Sequence, residues 1–166
     1  AFHFARGCRH ERRLCAAVDL WELAGAGELP PEAFKRRLYS LGTSLSASCD
    51  EDESSVSLSG LDSRLEESLK LALSRFDAPK VATDTLKRMV EVKLGARRDW
   101  KKDPDRVFYA LRESATRGAD SEVLGQLTDA EMTALETEGL LKLLKSVFDH
   151  SRRAAWDRSP HISRPN

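Results

Sequence analysis

Apolar positions recur along this chain with two different periods, and the switches between them mark out its elements. Ala1 to Phe4 alternates and predicts the end of a strand, broken at Arg6-Gly7. From Glu11 to Ala24 the apolar residues are Leu14, Ala17, Val18, Trp21 and Leu23/Ala24, which is helical spacing. Gly25-Ala26-Gly27 predicts a turn that ends this helix. Pro30-Pro31 opens the next one, because a proline in the first turn gives up an N–H that has no partner there. Phe34, Leu38 and Leu41 form its stripe, and Gly42 suits the residue after its end.

The period then falls to two. Leu45, Ala47 and Cys49 alternate with serines, as do Val56 and Leu58 beyond the acidic turn Asp50-Glu51-Asp52-Glu53. Two such runs around a short polar turn predict an antiparallel hairpin, with strands near 44–49 and 54–59 and one face buried. Helical spacing returns at Leu65, Leu69, Ala72, Leu73 and Phe76 and stops at Asp77-Ala78-Pro79. Leu65, Leu69 and Leu73 are expected to pack on the hairpin, so that Leu69→Ala would cost about 2–5 kcal/mol.

Leu86, Met89, Val90 and Leu94 mark a further helix that ends in the charged run Arg97 to Lys102. Pro104 begins another, with Val107, Phe108 and Leu111 on one side. Gly118 to Gly125 predicts a loop. Thr128-Asp129-Ala130-Glu131 spells a capping box. Leu135 to Phe148 continues as one broken helix or two short ones, and Ala154-Ala155-Trp156 as a last short strand. The fold class is α+β: an antiparallel or mixed β-sheet with helices packed mainly on one face. Residues 1–158 form one domain and 159–166 a flexible tail.

Composition narrows the chemistry. The 166 residues carry 27 basic and 27 acidic side chains, so a strong nucleic-acid binder, which shows a basic excess, is not expected. The clusters Lys35-Arg36-Arg37, Arg97-Arg98 with Lys101-Lys102, and Arg152-Arg153 read as solvated helix ends, with binding of RNA or acidic peptides as the weaker alternative. No apolar run is long enough for a transmembrane helix, and no membrane insertion is expected. The chain starts at Ala1 without Met or signal peptide and reads as an excised domain. The three cysteines, Cys8, Cys15 and Cys49, have neither an even count nor metal-ligand spacing and read as buried free thiols. His3, His10, His150 and His161 form no cluster and read as surface residues. Gly25-Ala26-Gly27 is not a phosphate cradle, and no nucleophile-elbow motif occurs.

The order of these elements carries a resemblance. Leu38-Tyr39-Ser40-Leu41-Gly42-Thr43 runs into an alternating strand, Ser57-Leu58-Ser59-Gly60-Leu61 precedes the leucine helix, and Leu127-Thr128-Asp129-Ala130-Glu131-Met132 and Leu140 to Phe148 follow. Together they resemble the α+β half-domain of the pitrilysin/insulinase family of zinc metallopeptidases, over residues 2 to 156. That family carries an inverted zinc motif, H-x-x-E-H. Here the matching positions read Ala16-Ala17-Val18-Asp19-Leu20, with Ala16 and Leu20 at the histidines and Asp19 at the base. The family's downstream glutamate ligand falls near Glu91 or Lys93. Zinc peptidases need imidazole ligands and a carboxylate that activates water, and Ala and Leu offer no lone pair.

The resemblance therefore implies an inactive domain with no catalytic residue, cofactor or metal of its own. Zinc is expected in a catalytic metallopeptidase domain of the same or a neighbouring chain, together with a peptide substrate. Asp19 by itself reads as a solvated helix residue or a local ion pair. Trp100, Phe108 and Tyr109, beside charged runs, are the candidates for the contact surface and for self-association of the isolated domain. The alternative is a free-standing interaction or scaffold module with no protease partner.

Overall fold

A computed structural model gives the fold and describes residues 2–4 and 6–157. Two antiparallel sheets and eight helices follow in the order β1 (Phe2–Phe4), α1 (Leu14–Glu22), β2 (Gly25–Ala26), α2 (Pro31–Ser40), β3 (Ser44–Cys49), β4 (Ser54–Ser59), α3 (Leu65–Asp77), β5 (Pro79–Lys80), α4 (Thr85–Trp100), α5 (Pro104–Arg117), α6 (Glu122–Gly125), α7 (Asp129–Thr133) and α8 (Thr137–Asp157). The larger sheet has the order β1-β4-β3. The predicted hairpin forms in register, with Leu45 opposite Leu58 and Ala47 opposite Val56. Val56 is buried, and Leu45 and Ala47 pack against the core. On the other face Ser48 and Ser55 hydrogen-bond across the strands at 2.9 Å.

Helix α1 is the centre of the fold. It packs on β3 and α8 and buries Leu14, Ala17, Val18, Leu20 and Trp21. Trp21 is 1% exposed. Its indole stacks on Phe76 at 4.5 Å, and its ring N–H donates to the Arg75 carbonyl at 3.1 Å. Phe148 closes this aromatic group edge-on, 4.1 Å from Phe76 and 4.6 Å from Phe4. At the end of α2, Gly42 adopts φ 62°. Its amide donates to Tyr39 at 2.9 Å and that of Thr43 to Leu38 at 3.0 Å, the double hydrogen bond that a left-handed residue after a helix allows.

Several sequence expectations are corrected. Gly25-Ala26-Gly27 is more than a turn: Gly25–Ala26 is a strand paired with Pro79–Lys80. Glycine is needed there, because a Cβ on Gly25 would fall 2.1 Å from the Leu29 carbonyl oxygen. Helix α3 forms where predicted but turns a different face inward. Its buried residues are Ser68, Ala72 and Arg75, while Leu65 is 58% exposed, Leu73 is exposed and Leu69 is half-buried outside the core clusters. Small side chains let α3 approach β2 closely, and Ser68 and Thr43 share a buried hydrogen bond of 2.6 Å. Leu69→Ala thus removes less buried surface than the leucine stripe implied.

Arg75 fills the inward face beyond Ala72. Its guanidinium lies 4.0 Å from the Phe34 ring centre and 5.0 Å from that of Trp21. Burial lowers its pKa to about 10, against the attraction of Glu22. The predicted loop from Gly118 to Gly125 contains a 3-10 turn and the one-turn helix α6. Leu135 to Phe148 resolves into the end of the α7–α8 connection and the long α8, which continues through 154–156 as helix instead of strand. The cysteine reading is overturned as well: Cys15 and Cys49 form a disulfide, and Cys8 remains the free thiol. The two residues are 34 apart in sequence, and only the docking of α1 on β3 brings them together. The tail 159–166 lies outside the described residues, as do the side chains of His3, His150 and His161.

Candidate functional site

A cleft runs along α1 between α4 and the α6–α7 segment. It has a volume of about 510 Å³, and its lining includes Arg12, Ala16, Lys93, Arg97, Gln126 and Met132. The three motif positions lie on α1, but they do not converge. Ala16 is 8% exposed and borders the cleft. Leu20, at 0% exposure, points into the core. Asp19 is half-exposed and pairs with Lys93 of α4 at 2.5 Å. Of the two downstream candidates, Lys93 reaches α1, while Glu91 is exposed elsewhere on α4.

This donor set does not fit zinc. Two positions are hydrocarbon, and the single carboxylate already faces an ammonium group, so a divalent cation would meet a positive charge in place of a ligand. Among the described residues no group of three or more His, Cys, Asp or Glu side chains is placed to hold a metal ion. His10 is exposed and separate from the cleft's motif positions.

The cleft walls are fixed by ion pairs that local sequence pattern does not reveal. The Arg12 guanidinium donates to the carbonyls of Gly125 at 2.9 Å and Gln126 at 2.5 Å. It also holds Glu131 through two nitrogens, at 2.8 and 3.0 Å. Arg97 pairs with Asp129 at 2.6 Å. Both acids lie in the first turn of α7, and Glu131 belongs to its capping box. The Thr128 hydroxyl accepts from the Glu131 amide at 3.2 Å, and the Glu131 carboxylate accepts from the Thr128 amide at 2.7 Å. The box was legible in the sequence. Its arginine partners, more than a hundred residues away in the case of Arg12, were not.

The Thr128 amide and hydroxyl, and then Arg12, lower the Glu131 pKa to about 2. An unfolded glutamate titrates near pH ~4.3. The folded pKa is the lower one, so this group's stabilising contribution is complete above that range and disappears as pH falls toward 2. Acid unfolding followed by circular dichroism is expected to show this loss, and Glu131→Gln to flatten the stability profile over the same window. Thr128→Ala, which removes the cap, is expected to cost about 1 kcal/mol in urea unfolding.

No family model matches the sequence, and no curated protein does. Solved structures do. The chain superposes on the periplasmic protease PqqL from Escherichia coli with TM-score 0.73 and 15% identity, over 90% of this chain and 17% of that one. It superposes on the peptidase M16 inactive domain from Pseudomonas fluorescens with TM-score 0.73 and 15% identity, over 99% of this chain and 46% of that one. The fold is that of an M16-type peptidase half-domain. The ferredoxin protease FusC, solved in complex with Arabidopsis ferredoxin, shares it with TM-score 0.72 and 14% identity, over 87% of this chain and 16% of that one. The chain thus spans less than half the length of each of these M16-type structures.

Proposed function

We propose that this chain is a non-catalytic half-domain of a pitrilysin/insulinase-like zinc metallopeptidase, which helps to wall the peptide-binding chamber and contacts a catalytic domain that carries the zinc. The observation that carries this reading is the occupancy of the motif positions. The fold is that of the peptidase half-domain, and the positions that the resemblance aligns with the family's zinc motif hold Ala16, Leu20 and an Asp19 paired with Lys93.

Exposed apolar faces support the contact role. On α5, Phe108 is 67% and Leu111 65% exposed, with Val107 and Tyr109 beside them, and no residue of that helix is buried. On α3, Leu65 and Leu73 lie open in the same way, next to Leu61. Apolar surface of this kind on a single domain marks a contact with a partner. Trp100, half-buried at the end of α4, lines a second cleft together with Tyr109.

Two measurements on the purified chain test the reading. Zinc analysis after dialysis is expected to find no stoichiometric metal and no chelator-sensitive peptidase activity; a tight one-to-one site near residues 16–20 would overturn it. Light scattering with an added catalytic fragment is expected to show a complex that the double variant Phe108→Glu/Leu111→Glu loses without a change in its helical signal. A strictly monomeric chain that ignores that fragment favours the free-standing module.

A further inference from the structure

All three cysteines line the cleft beside α1, and they meet at one backbone oxygen. The Asp50 carbonyl accepts from the Cys8 amide at 2.8 Å. It lies 3.5 Å from the Cys15 sulfur and 3.7 Å from the Cys49 sulfur. Those two sulfurs are joined in the disulfide and carry no proton, so the last two distances are contacts, not hydrogen bonds.

The segment that carries Cys8 is pinned at this point. The Arg9 amide donates to the Glu51 carbonyl at 2.9 Å, and the Arg9 guanidinium pairs with Glu51 and with Asp52. Gly7 permits the approach, because a Cβ there would fall 2.3 Å from the Asp50 oxygen. Cys8 is half-buried and opens to the same cleft as the disulfide. Exchange requires a thiolate with access to one of the two disulfide sulfurs, and the shared cleft and the backbone bond at Asp50 keep Cys8 on the same side of the fold as the disulfide.

We propose that Cys8, Cys15 and Cys49 form a thiol–disulfide exchange site, in which Cys8 is the entry thiol for low-molecular-weight disulfides such as glutathione disulfide. In the reduced protein the Cys8 thiolate attacks glutathione disulfide, forming a mixed disulfide and releasing one glutathione thiolate. The Cys15 thiolate attacks the Cys8 sulfur and releases the second. The Cys49 thiolate then attacks the Cys15 sulfur and returns Cys8 to its free state. One disulfide is reduced to two thiolates while one protein disulfide forms, so the electrons balance.

The groups facing Cys8 set the pH dependence. Burial raises its pKa, and the nearby Glu51, Glu122 and Asp50 carboxylates add to this against a lowering backbone hydrogen bond. Arg9 and Arg12 on its own segment, Asp120, and Lys93 and Arg97 of α4 share the cleft. Cys8 is therefore mostly protonated at neutral pH, and the first step speeds up about tenfold per pH unit below its pKa.

The test is reoxidation of the reduced protein by glutathione disulfide, with acid quenching and mass mapping of each disulfide. Every route begins with one attack on glutathione disulfide, so Cys8→Ser is expected to slow formation of the Cys15–Cys49 link to the rate at which Cys15 or Cys49 attacks it directly. In the wild type, Cys8 adducts should precede that link at a rate independent of protein concentration. Equal rates for wild type and Cys8→Ser, with no Cys8 adduct at any time, would overturn the proposal. A second variant, Cys49→Ser, is expected to close a Cys8–Cys15 disulfide under the same oxidant; persistent glutathione adducts on both thiols count against it.

Discussion

Trp21→Ala is expected to destabilise the fold by about 3–5 kcal/mol, the usual range for deleting a large buried aromatic side chain. Trp21 is 1% exposed, stacks on Phe76 and ties α1 to α3 through the Arg75 carbonyl. The substitution opens a cavity among Phe4, Phe76 and Phe148 and uncovers one side of the Arg75 guanidinium. Domains of this size have a total stability of about 5–15 kcal/mol, so the change consumes a large share of it. Urea unfolding should show a midpoint lower by about 1 M or more at unchanged slope. Tyr39→Ala, at a side chain 88% exposed, serves as the control and should leave the midpoint in place. A Trp21→Ala midpoint equal to that of the control would show that α1 is not the centre of the core.

Reduction of the Cys15–Cys49 disulfide is the second large effect. The bond closes a loop between residues separated by 34 positions, and removal of that constraint from the unfolded chain costs about 3–4 kcal/mol on the chain-entropy estimate. It also frees the first turn of α1 from the end of β3, beside the hairpin turn. In thermal unfolding a thiol reductant should lower the midpoint of the wild type, Cys15→Ser should show the same lowered midpoint without reductant, and reductant should not shift the variant further. A reductant effect that persists in Cys15→Ser would assign it to something other than this bond.

These two effects differ in how far the sequence announces them. Trp21 sits in the apolar series Leu14, Ala17, Val18, Trp21, and its burial follows from period and residue type alone. The disulfide has no such signal. Residues 15 and 49 belong to elements of different period, and nothing local relates them. The hairpin, the capping box at Thr128 and Glu131 and the left-handed Gly42 were legible for the same reason as Trp21. Each is decided within a few residues of backbone.

Helix α3 marks the boundary between the two kinds of information. Period predicted the helix and its amphipathic character, but not which face turns inward. The leucines at 65, 69 and 73 looked like the core stripe; tertiary contact instead selected Ser68 and Ala72, which allow close approach, and Arg75, which lies between Trp21 and Phe34. The same holds at the candidate site. From the sequence came the absence of histidine at 16 and 20, since residue identity alone rules out a ligand. The chain could not announce that Asp19 meets Lys93, that Arg12 grips the α7 cap, or that the Cys8 amide and the Cys15 and Cys49 sulfurs gather around the Asp50 carbonyl. Local pattern sets the elements because their hydrogen bonds and side-chain periods are short-range. Partners across long sequence separations depend on how whole faces dock, and only the packed structure decides that.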